Sequence, residues 1–335
     1  MRIPQKKRKA AAAVLLAAAL AAGGWIFFAL FTPAGNGKVE ALATLPHGGS
    51  LRGLAQQLQA KKVLPHARLF VAYARLRGED QKAQAGTYRF TDGMSASEIL
   101  RKLVNGEIYV RPFTLPEGYS MYQAAELLER QGLFSAQKFL RQCGNRELLR
   151  SLGVEAATAE GYLMPSTYNV PLDIDEAGMV SLMVKQFHSS MHQTLDPRVK
   201  AAGLSWREVL TLASMIEKEA VVPAERPLIS SVFHNRLRKN MRLQSDPTAV
   251  YGVRAFTGKV TRADILRPTS HNTYCISGLP PGPIGNPGKE AVEAALTPAQ
   301  TPYLYFVAKK DGSHHFSTTL AEHNQAVRMY LKEAP

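Results

Sequence analysis

The feature that most constrains this chain is a run near its start, residues 10–31, without a charged side chain. As a helix rising about 1.5 Å per residue, the run is about 33 Å long, enough to cross a hydrocarbon core of about 30 Å. It therefore predicts a transmembrane helix over residues 10–31. A cleaved signal peptide is the alternative, because residues 18–22 offer small side chains. Signal peptides have apolar regions of only about 7 to 15 residues, so we expect an uncleaved anchor.

The charges before this run predict its orientation. Five basic residues precede it: Arg2, Lys6, Lys7, Arg8 and Lys9. Because basic flanks stay on the cytoplasmic side of a membrane, residues 1–9 are predicted to be a cytoplasmic tail. Everything after about residue 35 then lies on the far side, which in a bacterium is the wall compartment. The expectation is a single-pass protein of the bacterial inner (plasma) membrane with its main part in the periplasm.

The net charge of +14 limits the partners of the chain. Five positive charges belong to the predicted tail, so the exported part is still basic and should attract anionic polymers or lipid headgroups. Nucleic acid is excluded as a partner by the predicted compartment and by the lack of zinc-finger spacing or an arginine-rich reading helix. With only Cys143 and Cys275, no disulfide framework defines the fold, although one bridge between them is left open.

An internal repeat organises the exported part. The segment LPHGGSLRGLAQQL, which starts at Leu45, aligns without a gap with LPEGYSMYQAAELL, which starts at Leu115. Each copy is predicted to form a short strand, a serine-capped helix, a turn and a second helix. Extended segments at residues 85–90 and 160–168 are predicted to close the two copies. This is the plan of small wall-binding modules, but a duplicated packing unit would give the same pattern.

The remaining chain has a different pattern. After residue 177 we expect longer helices and a loop rich in proline and glycine over residues 268–288. A hairpin with its turn at Asp311 and Gly312 follows, and then a closing helix over about residues 320–332. Residues from about 110 onward therefore read as one mixed domain.

One predicted helix holds the main candidate for a catalytic residue. Ser205 and Glu208 have the spacing of a capping box, and an apolar pattern starts directly after the serine. At about 100° per residue, Glu217 falls inside the apolar arc, whereas Glu219 falls about 160° away on the polar side. A carboxyl among apolar groups has a raised pKa and can deliver a proton near neutral pH. We therefore predict Glu217 to be a general acid and Glu219 to be a surface charge.

Two other interpretations of this helix stay open. Glu217 can be a structural carboxylate that is buried against an arginine such as Arg236 or Arg242. Ser214 and Lys218 lie four residues apart and can form the pair of an acyl-transfer site, although nothing else supports that chemistry. The catalytic interpretation gains from the polar loops downstream, which supply the amides, hydroxyls and aspartate that a groove for a polar polymer needs.

Five blocks of sequence together resemble the endolytic murein transglycosylase family, also called YceG-like. In chain order they are ASMIEKEA, VFHNRL, MRLQSDPTAVYG, HNTYCISGLPPGPIGNPG and YLYFVA. The resemblance covers nearly the whole chain, and it maps the catalytic glutamate of the family onto Glu217, the first Glu of EKE. It also implies that five residues line the substrate groove: Asn235, Gln244, Asp246, Asn272 and Tyr274. Departures from the family pattern at Ser166, Ala220 and His271 affect the expected substrate contacts rather than the acid.

The resemblance also assigns the parts of the predicted α+β fold. Residues 1–9 are the cytoplasmic tail and residues 10–31 the transmembrane helix. Residues 39–108 form a LysM-like βααβ subdomain, for which wall binding is one of the two alternatives above. Residues 109–335 form a mixed α/β catalytic domain that contains the second βααβ-like copy.

The activity that the resemblance implies is cleavage between N-acetylmuramic acid and N-acetylglucosamine inside peptidoglycan strands, which would terminate nascent strands. Glu217 would protonate the glycosidic oxygen and then accept the proton of the attacking muramyl 6-hydroxyl, leaving a 1,6-anhydro end. No metal or organic cofactor is expected. The expected partners are peptidoglycan strands, the inner membrane and penicillin-binding synthases.

Two alternative functions are retained. A lysozyme-like hydrolase would use a second carboxyl as nucleophile or base, and no convincing second carboxyl is evident beside Glu217. A non-catalytic wall-binding scaffold is supported by the LysM-like copy, but a buried glutamate in a polar groove argues against it.

An uncleaved anchor makes a direct prediction. The mature protein should keep its N-terminal peptide and stay with the membrane fraction after an alkaline wash, because about 20 apolar residues hold it in the bilayer. Mass spectrometry of the N-terminal peptide from that fraction checks both points. Recovery of soluble protein that starts near residue 23 would show a signal peptide instead.

Overall fold

The structure, a computed structural model, describes residues 5–256 and 258–331. Within these residues the chain forms fifteen α-helices and six short β-strands, and the strands are interspersed among the helices. The predicted mixed α and β architecture with one apolar helix at its start is confirmed. Residues 1–4 of the predicted cytoplasmic tail lie outside the described residues.

The first helix, α1, spans Gln5–Phe31. Among the described residues it is the one helix that is long and apolar enough to cross a membrane, over Ala11–Phe31. Its middle is not covered by the rest of the chain, since Leu15, Leu16 and Leu20 are all more than 60% exposed. Exposed apolar surface of this extent is compatible with a single-pass membrane anchor.

The chain divides into two compact units. The first runs to Pro112 and includes Asn169–Asp173, and the second consists of Phe113–Tyr168 and the chain from Ile174 onward. After α1, the elements of the first unit are β1 (Glu40–Leu45), α2 (Leu51–Ala60), α3 (Ala67–Leu76), β2 (Gly86–Thr91) and α4 (Ala96–Asn105), and β3 (Val110–Leu115) begins in it. β1 and β2 pair antiparallel, with Glu40 opposite Thr91. The LysM-like character of this unit stays a prediction.

The core of the first unit follows from alternation in its strands and amphipathic spacing in its helices. In β1, alternate residues face inward, so that Ala43 and Leu45 are buried between more exposed neighbours. Leu54, Leu58 and Phe70 from α2 and α3 are 0 to 1% exposed and belong to the same hydrophobic cluster. Burial of these apolar side chains holds the two helices against the two-stranded sheet.

The second copy of the repeat keeps this order but contains an insertion. Its elements are β3, α5 (Met121–Arg130), α6 (Ala136–Cys143), α7 (Arg146–Ser151) and β4 (Ser166–Pro171). β1 ends at Leu45 and β3 at Leu115, so these strands keep the predicted alignment. β4 begins later than that alignment requires, because α7 is inserted before it. The two strands β3 and β4 form a two-stranded sheet.

The predicted closing strand at residues 160–168 is wrong in its placement. The strand β4 begins only at Ser166, and the residues before it form a turn. Gly161 has a φ of +86°, and the N–H groups of Gly161 and Leu163 both donate to the side chain of Asn286. A contact from a distant loop, which local sequence does not reveal, therefore fixes this segment.

The rest of the second unit is mainly helical. Its elements are α8 (Glu176–Phe187), a π-helical turn (His188–His192), α9 (Gln193–Ala201), α10 (Trp206–Glu219), a 3₁₀ turn (Pro223–Glu225), α11 (Arg226–Arg238), α12 (Asp246–Val250), α13 (Arg262–Leu266), α14 (Lys289–Leu296), β5 (Tyr305–Ala308), β6 (His314–Ser317) and α15 (Leu320–Tyr330). The predicted hairpin is confirmed, since β5 and β6 pair antiparallel and Gly312 in the turn between them has a φ of +83°. The predicted closing helix corresponds to α15.

Helix α10 is packed on nearly all sides. It begins with the predicted capping box between Ser205 and Glu208, and all residues from Val209 to Ile216 are buried. It contacts α11, α12 and α14. The expected division into one buried apolar face and one solvated polar face is therefore wrong, because neighbouring helices cover the polar side as well.

The core of the first unit predicts a contrast between two leucines. Leu58→Ala should lower the free energy of unfolding by about 2 to 5 kcal/mol, because the side chain is fully buried and its loss leaves a cavity. Leu76→Ala, at a position that is 89% exposed, is the matched control and should change it by less than about 0.5 kcal/mol. Urea unfolding of the detergent-solubilised protein, followed by tyrosine and tryptophan fluorescence, measures both. Equal effects of the two substitutions would contradict this core.

Candidate active site

The last turn of α10 carries three ionisable side chains in succession, Glu217, Lys218 and Glu219. Consecutive residues of a helix point about 100° apart, so the three side chains enter different surroundings. The two carboxyls in particular have different partners. Those partners determine how each carboxyl can bind or transfer a proton.

Glu217 lies in an ion pair. Its side chain is 7% exposed, and Oε1 accepts a hydrogen bond from Arg226 Nη2 at 3.0 Å. Oε2 accepts a second hydrogen bond from the N–H of Gly288 at 2.9 Å. Two donors, one of them charged, fix the orientation of this carboxylate.

Arg226 forms ion pairs with three carboxylates. Besides Glu217 it contacts Glu290, at 2.5 Å, and Glu117, at 3.8 Å. The side chains of Glu117 and Glu290 are 53% and 71% exposed, so the cluster reaches solvent on their side. Burial and the negative charge of Glu217 raise the pKa of Glu117. The four side chains are called the Arg226 cluster below.

This arrangement differs from the surroundings expected for Glu217. The sequence placed it among apolar groups, with Arg236 or Arg242 as the alternative partner. The structure supplies Arg226, which is at the start of α11 and is itself only 8% exposed. The prediction that Glu217 is the catalytic acid is not tested by this geometry and stays a prediction.

The loop that binds Glu217 is fixed by Asn286. Its backbone N–H donates to the carbonyl of Tyr119, and its carbonyl accepts from the N–H of Gly118, both at 2.8 Å. Its fully buried side chain donates to Tyr119 O and to Glu160 Oε1. The approach is so close that a Cβ on Gly285 would lie 2.6 Å from the carbonyl oxygen of Gly118. Glycine at that position is therefore required for the loop to reach this turn.

Glu160 is a further buried carboxyl near this loop. It is 2% exposed, and burial raises its pKa to about 7. It accepts hydrogen bonds from the N–H of Met121, from the hydroxyl of Tyr251 at 2.8 Å and from Asn286. Because these donors occupy its oxygens, Glu160 has a structural role: its hydrogen bonds hold three segments of the chain together.

Glu219 lies in a different environment from Glu217. The hydroxyl of Ser245 donates to its Oε1 at 2.6 Å, while the residue keeps partial access to solvent. Burial raises the pKa of Glu219 to about 7, and the negative charge of Asp246 acts in the same direction. The expectation that Glu219 is a surface charge is therefore wrong. It is a carboxyl that can hold a proton near neutral pH.

Three of the five residues that the resemblance placed in a groove lie around Glu219. Asp246 is the first residue of α12 and accepts a hydrogen bond from the hydroxyl of Tyr274 at 2.5 Å. Gln244 is exposed in the loop before α12 and has a positive φ of 49°, which is uncommon for a residue other than glycine. Burial raises the pKa of Tyr274, so its hydroxyl keeps its proton and can donate. Gln244, Asp246 and Tyr274, which together offer an amide, a carboxylate and a hydroxyl, are called the polar rim below.

The other two residues, Asn235 and Asn272, are buried in backbone contacts. Asn235 donates from Nδ2 to the carbonyls of Thr301 and Tyr303. Asn272 is 0% exposed, and it donates to three carbonyls: Asp264, Ile265 and Arg267. Their predicted role in substrate binding stays untested, but these contacts show that both hold loops in place.

The alternative of an acyl-transfer pair loses support. Ser214 is fully buried, donates to the carbonyl of Thr211 and accepts from the N–H of Ile284. Its hydroxyl is thus occupied by the backbone. Burial lowers the pKa of Lys218, which lines a separate cavity of about 230 Å³. Both cysteines are unpaired, with Cys143 buried and Cys275 exposed.

Sequence reasoning missed three residues that organise the site: Glu160, Arg226 and Asn286. Arg226 and Glu217 are only nine positions apart, but a helix break lies between them, so helical spacing could not pair them. Asn286 and Glu160 are separated by 126 positions. The one available signal was the position of Asn286 in a loop of glycines and prolines, which marks a tight backbone approach without identifying its partner.

A helix end that carries one carboxyl in a shared ion cluster and another with a raised pKa is the kind of arrangement that acid–base enzymes use. The chain belongs to the YceG-like family, whose model matches residues 43–329. The family assignment from the five sequence blocks is thereby confirmed.

Individual relatives agree with this assignment. The chain is 34% identical over 311 residues to the endolytic murein transglycosylase of Bacillus subtilis (strain 168), over 88% of this chain and 86% of the relative. It is 28% identical over 331 residues to a protein of the same name from Streptococcus pneumoniae serotype 2, of whose length the match spans 59%. A crystal structure of a YceG-like protein from Listeria monocytogenes, 32% identical, superimposes with a TM-score of 0.60 over 87% of this chain and 100% of that one.

The raised pKa of Glu219 predicts a dependence of stability on pH. The folded-state pKa of about 7 exceeds the ordinary value of 4.5, so wild-type stability should fall as the pH rises from about 4.5 to 7. Glu219→Gln removes this cost and should be more stable than wild type at pH 8, by on the order of 2 kcal/mol, with little difference at pH 4.5. Glu126→Gln, at an exposed position of α5, is the matched control.

Thermal unfolding of the wild type and both variants at the two pH values measures the effect. A Glu219→Gln variant that is no more stabilised at pH 8 than at pH 4.5 would contradict the burial of this carboxyl.

Proposed function

We propose that this protein is an endolytic lytic transglycosylase of peptidoglycan that uses Glu217 as its proton donor and acceptor. Membership of the YceG-like family and relatives named endolytic murein transglycosylases support the activity. The observation that carries the choice of residue is the Arg226 cluster, in which Glu217 shares one guanidinium with two further carboxylates. The position of Glu217 in the EKE motif supports the same choice.

The Arg226 cluster concentrates negative charge beside Glu217. One guanidinium cannot neutralise three carboxylates, so full ionisation leaves an excess of negative charge in a small volume. Burial and the negative charge of Glu217 raise the pKa of Glu117. The exposed side chains of Glu117 and Glu290 open the cluster to solvent, so a substrate can reach Glu217 from that side.

The reaction needs two proton transfers at one carboxyl. Glu217 first gives its proton to the glycosidic oxygen while the bond between N-acetylmuramic acid and N-acetylglucosamine breaks. The muramyl 6-hydroxyl then bonds to the anomeric carbon and loses its proton to the Glu217 carboxylate. The products are a free hydroxyl on N-acetylglucosamine and a 1,6-anhydro muramyl end, with no water consumed. One group thus acts as acid and as base in a single cycle.

The neighbours of Glu217 have defined tasks in this scheme. Arg226 and the N–H of Gly288 orient the carboxylate through their hydrogen bonds. The negative charges of Glu117 and Glu290 stabilise the transition state, because positive charge develops on the sugar ring as the glycosidic bond breaks.

The polar rim is proposed to hold the sugars. Exposed Gln244 offers an amide, and Tyr274 and Asp246 offer a hydroxyl and a carboxylate that are already joined by a hydrogen bond. Asn235 and Asn272 shape the groove indirectly, because their side chains hold the surrounding loops.

Glu219 is the alternative proton donor. Its pKa of about 7 suits acid–base work, and it lies beside the polar rim. Glu217 is preferred because its cluster reaches solvent through two exposed carboxylates and because the family motif points to it. Under the proposal, Glu219 connects the end of α10 to the loop before α12 through Ser245.

A lysozyme-like hydrolase is the second candidate function. The expected lack of a second carboxyl no longer argues against it, because Glu117 and Glu290 share Arg226 with Glu217. The names of the relatives favour the lytic reaction, and the mass of the products decides between the two.

The cellular setting is also a proposal. The helix α1 anchors the protein in the inner membrane with its N-terminus in the cytoplasm, and the catalytic domain lies in the periplasm. There it cleaves nascent strands near penicillin-binding synthases, while the first unit binds the wall. The exposed apolar surface of α1 and the basic exported part, which suits an anionic polymer, support this setting.

The two glutamates predict opposite outcomes on substitution. Glu217→Gln keeps the volume and an oxygen for Arg226 but cannot transfer a proton, so activity should fall about a hundred- to ten-thousandfold. Glu219→Gln keeps the Ser245 contact and should retain activity within about tenfold of wild type. The measurement is release of muropeptides from purified wall, with mass spectrometry to detect ends that are one water lighter than hydrolysis products.

A cooperative thermal transition at or above the wild-type melting temperature, measured at the assay pH, is the folding control for both variants. The Glu219→Gln variant should also keep the pH profile of the wild type, whereas a changed profile near pH 7 would assign proton transfer to Glu219. An active Glu217→Gln variant together with an inactive Glu219→Gln variant would also assign proton transfer to Glu219. Release of reducing ends alone by the wild type would establish the hydrolase.

A further inference from the structure

A large cleft lies in the second unit, and neither Glu217 nor Glu219 lines it. Its volume is about 880 Å³. The inserted helix α7, residues 153–158, the first turn of α10 and residues 281–283 form its walls. Three arginines line it: Arg146 and Arg150 from α7, and Arg207 from α10.

These arginines carry charge without a partner on the protein. All three are exposed, and within the part of the chain that the structure describes none of their guanidinium groups makes an ion pair or a hydrogen bond. Elsewhere in this unit buried arginines are paired, as Arg226 is with three carboxylates. A cleft wall with three free guanidinium groups is suited to an anionic ligand, because the planar fork of arginine binds carboxylates in a bidentate way.

The lining of the cleft also contains aromatic rings. The rings of Tyr122 and Tyr251 lie 6.0 Å apart, and those of Tyr251 and His271 lie 4.7 Å apart. The Tyr251 hydroxyl is fixed by its hydrogen bond to the buried Glu160. Rigid aromatic faces pack well against sugar rings and aliphatic side chains. The lining of the cleft thus combines positive charge with aromatic contact surface.

The cleft shares two lining residues with a cavity at the end of α10. Tyr122 and Tyr251 line both the cleft and the cavity of about 230 Å³ that contains Lys218. Lys218 lies between the two candidate catalytic glutamates in the sequence. A polymer bound at the end of α10 can therefore extend a side branch past these two rings to the arginines.

We propose that this cleft binds the peptide stems of peptidoglycan through their carboxylates, a site that rests on the proposed function. The stems are short peptides with several carboxylates and the amine of a diamino acid, so they carry both signs of charge. The lining matches this mixture, because Glu155 also faces the cleft and can receive the amine. A lipid phosphate would gain from the arginines but not from Glu155, which favours the peptide.

The test removes the three positive charges. The variant Arg146→Gln/Arg150→Gln/Arg207→Gln is compared with Arg130→Gln/Arg141→Gln/Arg328→Gln, which removes three exposed arginines of the same unit outside the cleft. Both are made in full-length protein that also carries Glu217→Gln and Glu219→Gln, so that strands are not cut. Binding is measured to glycan strands with peptide stems and to strands stripped of them by an amidase.

The cleft variant should bind stem-bearing strands about tenfold more weakly than the control variant, while both bind stripped strands equally. Equal losses on the two kinds of strand, or no loss, would overturn the proposal. Weaker binding of a short-chain, water-soluble phosphatidylglycerol by the cleft variant, with strand binding unchanged, would overturn it in favour of a lipid. Because binding is measured without cleavage, a failure here is distinct from a failure of the proposed reaction, which the wild-type products report.

Discussion

The side chain of Asn286 is the contact on which the arrangement of the site depends. Buried at 0% exposure, it joins the turn at Tyr119 to the adjacent residues Glu160 and Gly161, and these two segments are far from each other and from Asn286 in the sequence. The loop held in this way brings the N–H of Gly288 to Glu217. A buried amide that satisfies several backbone groups at once stabilises one loop conformation over others. The geometry at the end of α10 follows from that conformation.

Two glutamates of one helix turn acquire different chemistry from their neighbours. Glu217 meets a guanidinium and a backbone N–H, whereas Glu219 meets a hydroxyl and the charge of Asp246. Identical side chains separated by a single residue can thus take different parts in one site. Because this turn of α10 is enclosed by neighbouring segments, both environments are set by tertiary contacts rather than by the helix itself.

Local patterns predicted much of the fold but little of this contrast. The repeat, the capping box of α10, the final hairpin and helix α15 depend on residues close in sequence, and the structure contains all of them. The placement of β4 and the surroundings of Glu219 depend on Asn286 and Ser245, which approach from distant loops. A prediction of exposed residues from helical periodicity requires that one face of the helix is solvated. Helix α10 is packed on several sides, so that prediction fails for Glu219. The sequence motifs found the family, but no local pattern could join Glu217 to its partners.

The insertion in the second repeat copy has a consequence for how the two copies diverged. Helix α7 separates β4 from α6 and moves the strand further along the chain than its counterpart β2, yet the strand and helix order survives. The same inserted helix supplies Arg146 and Arg150 to the cleft. A duplicated scaffold could therefore gain a new surface by lengthening one connection, while the inherited strands and helices kept the older packing and the two copies became free to specialise.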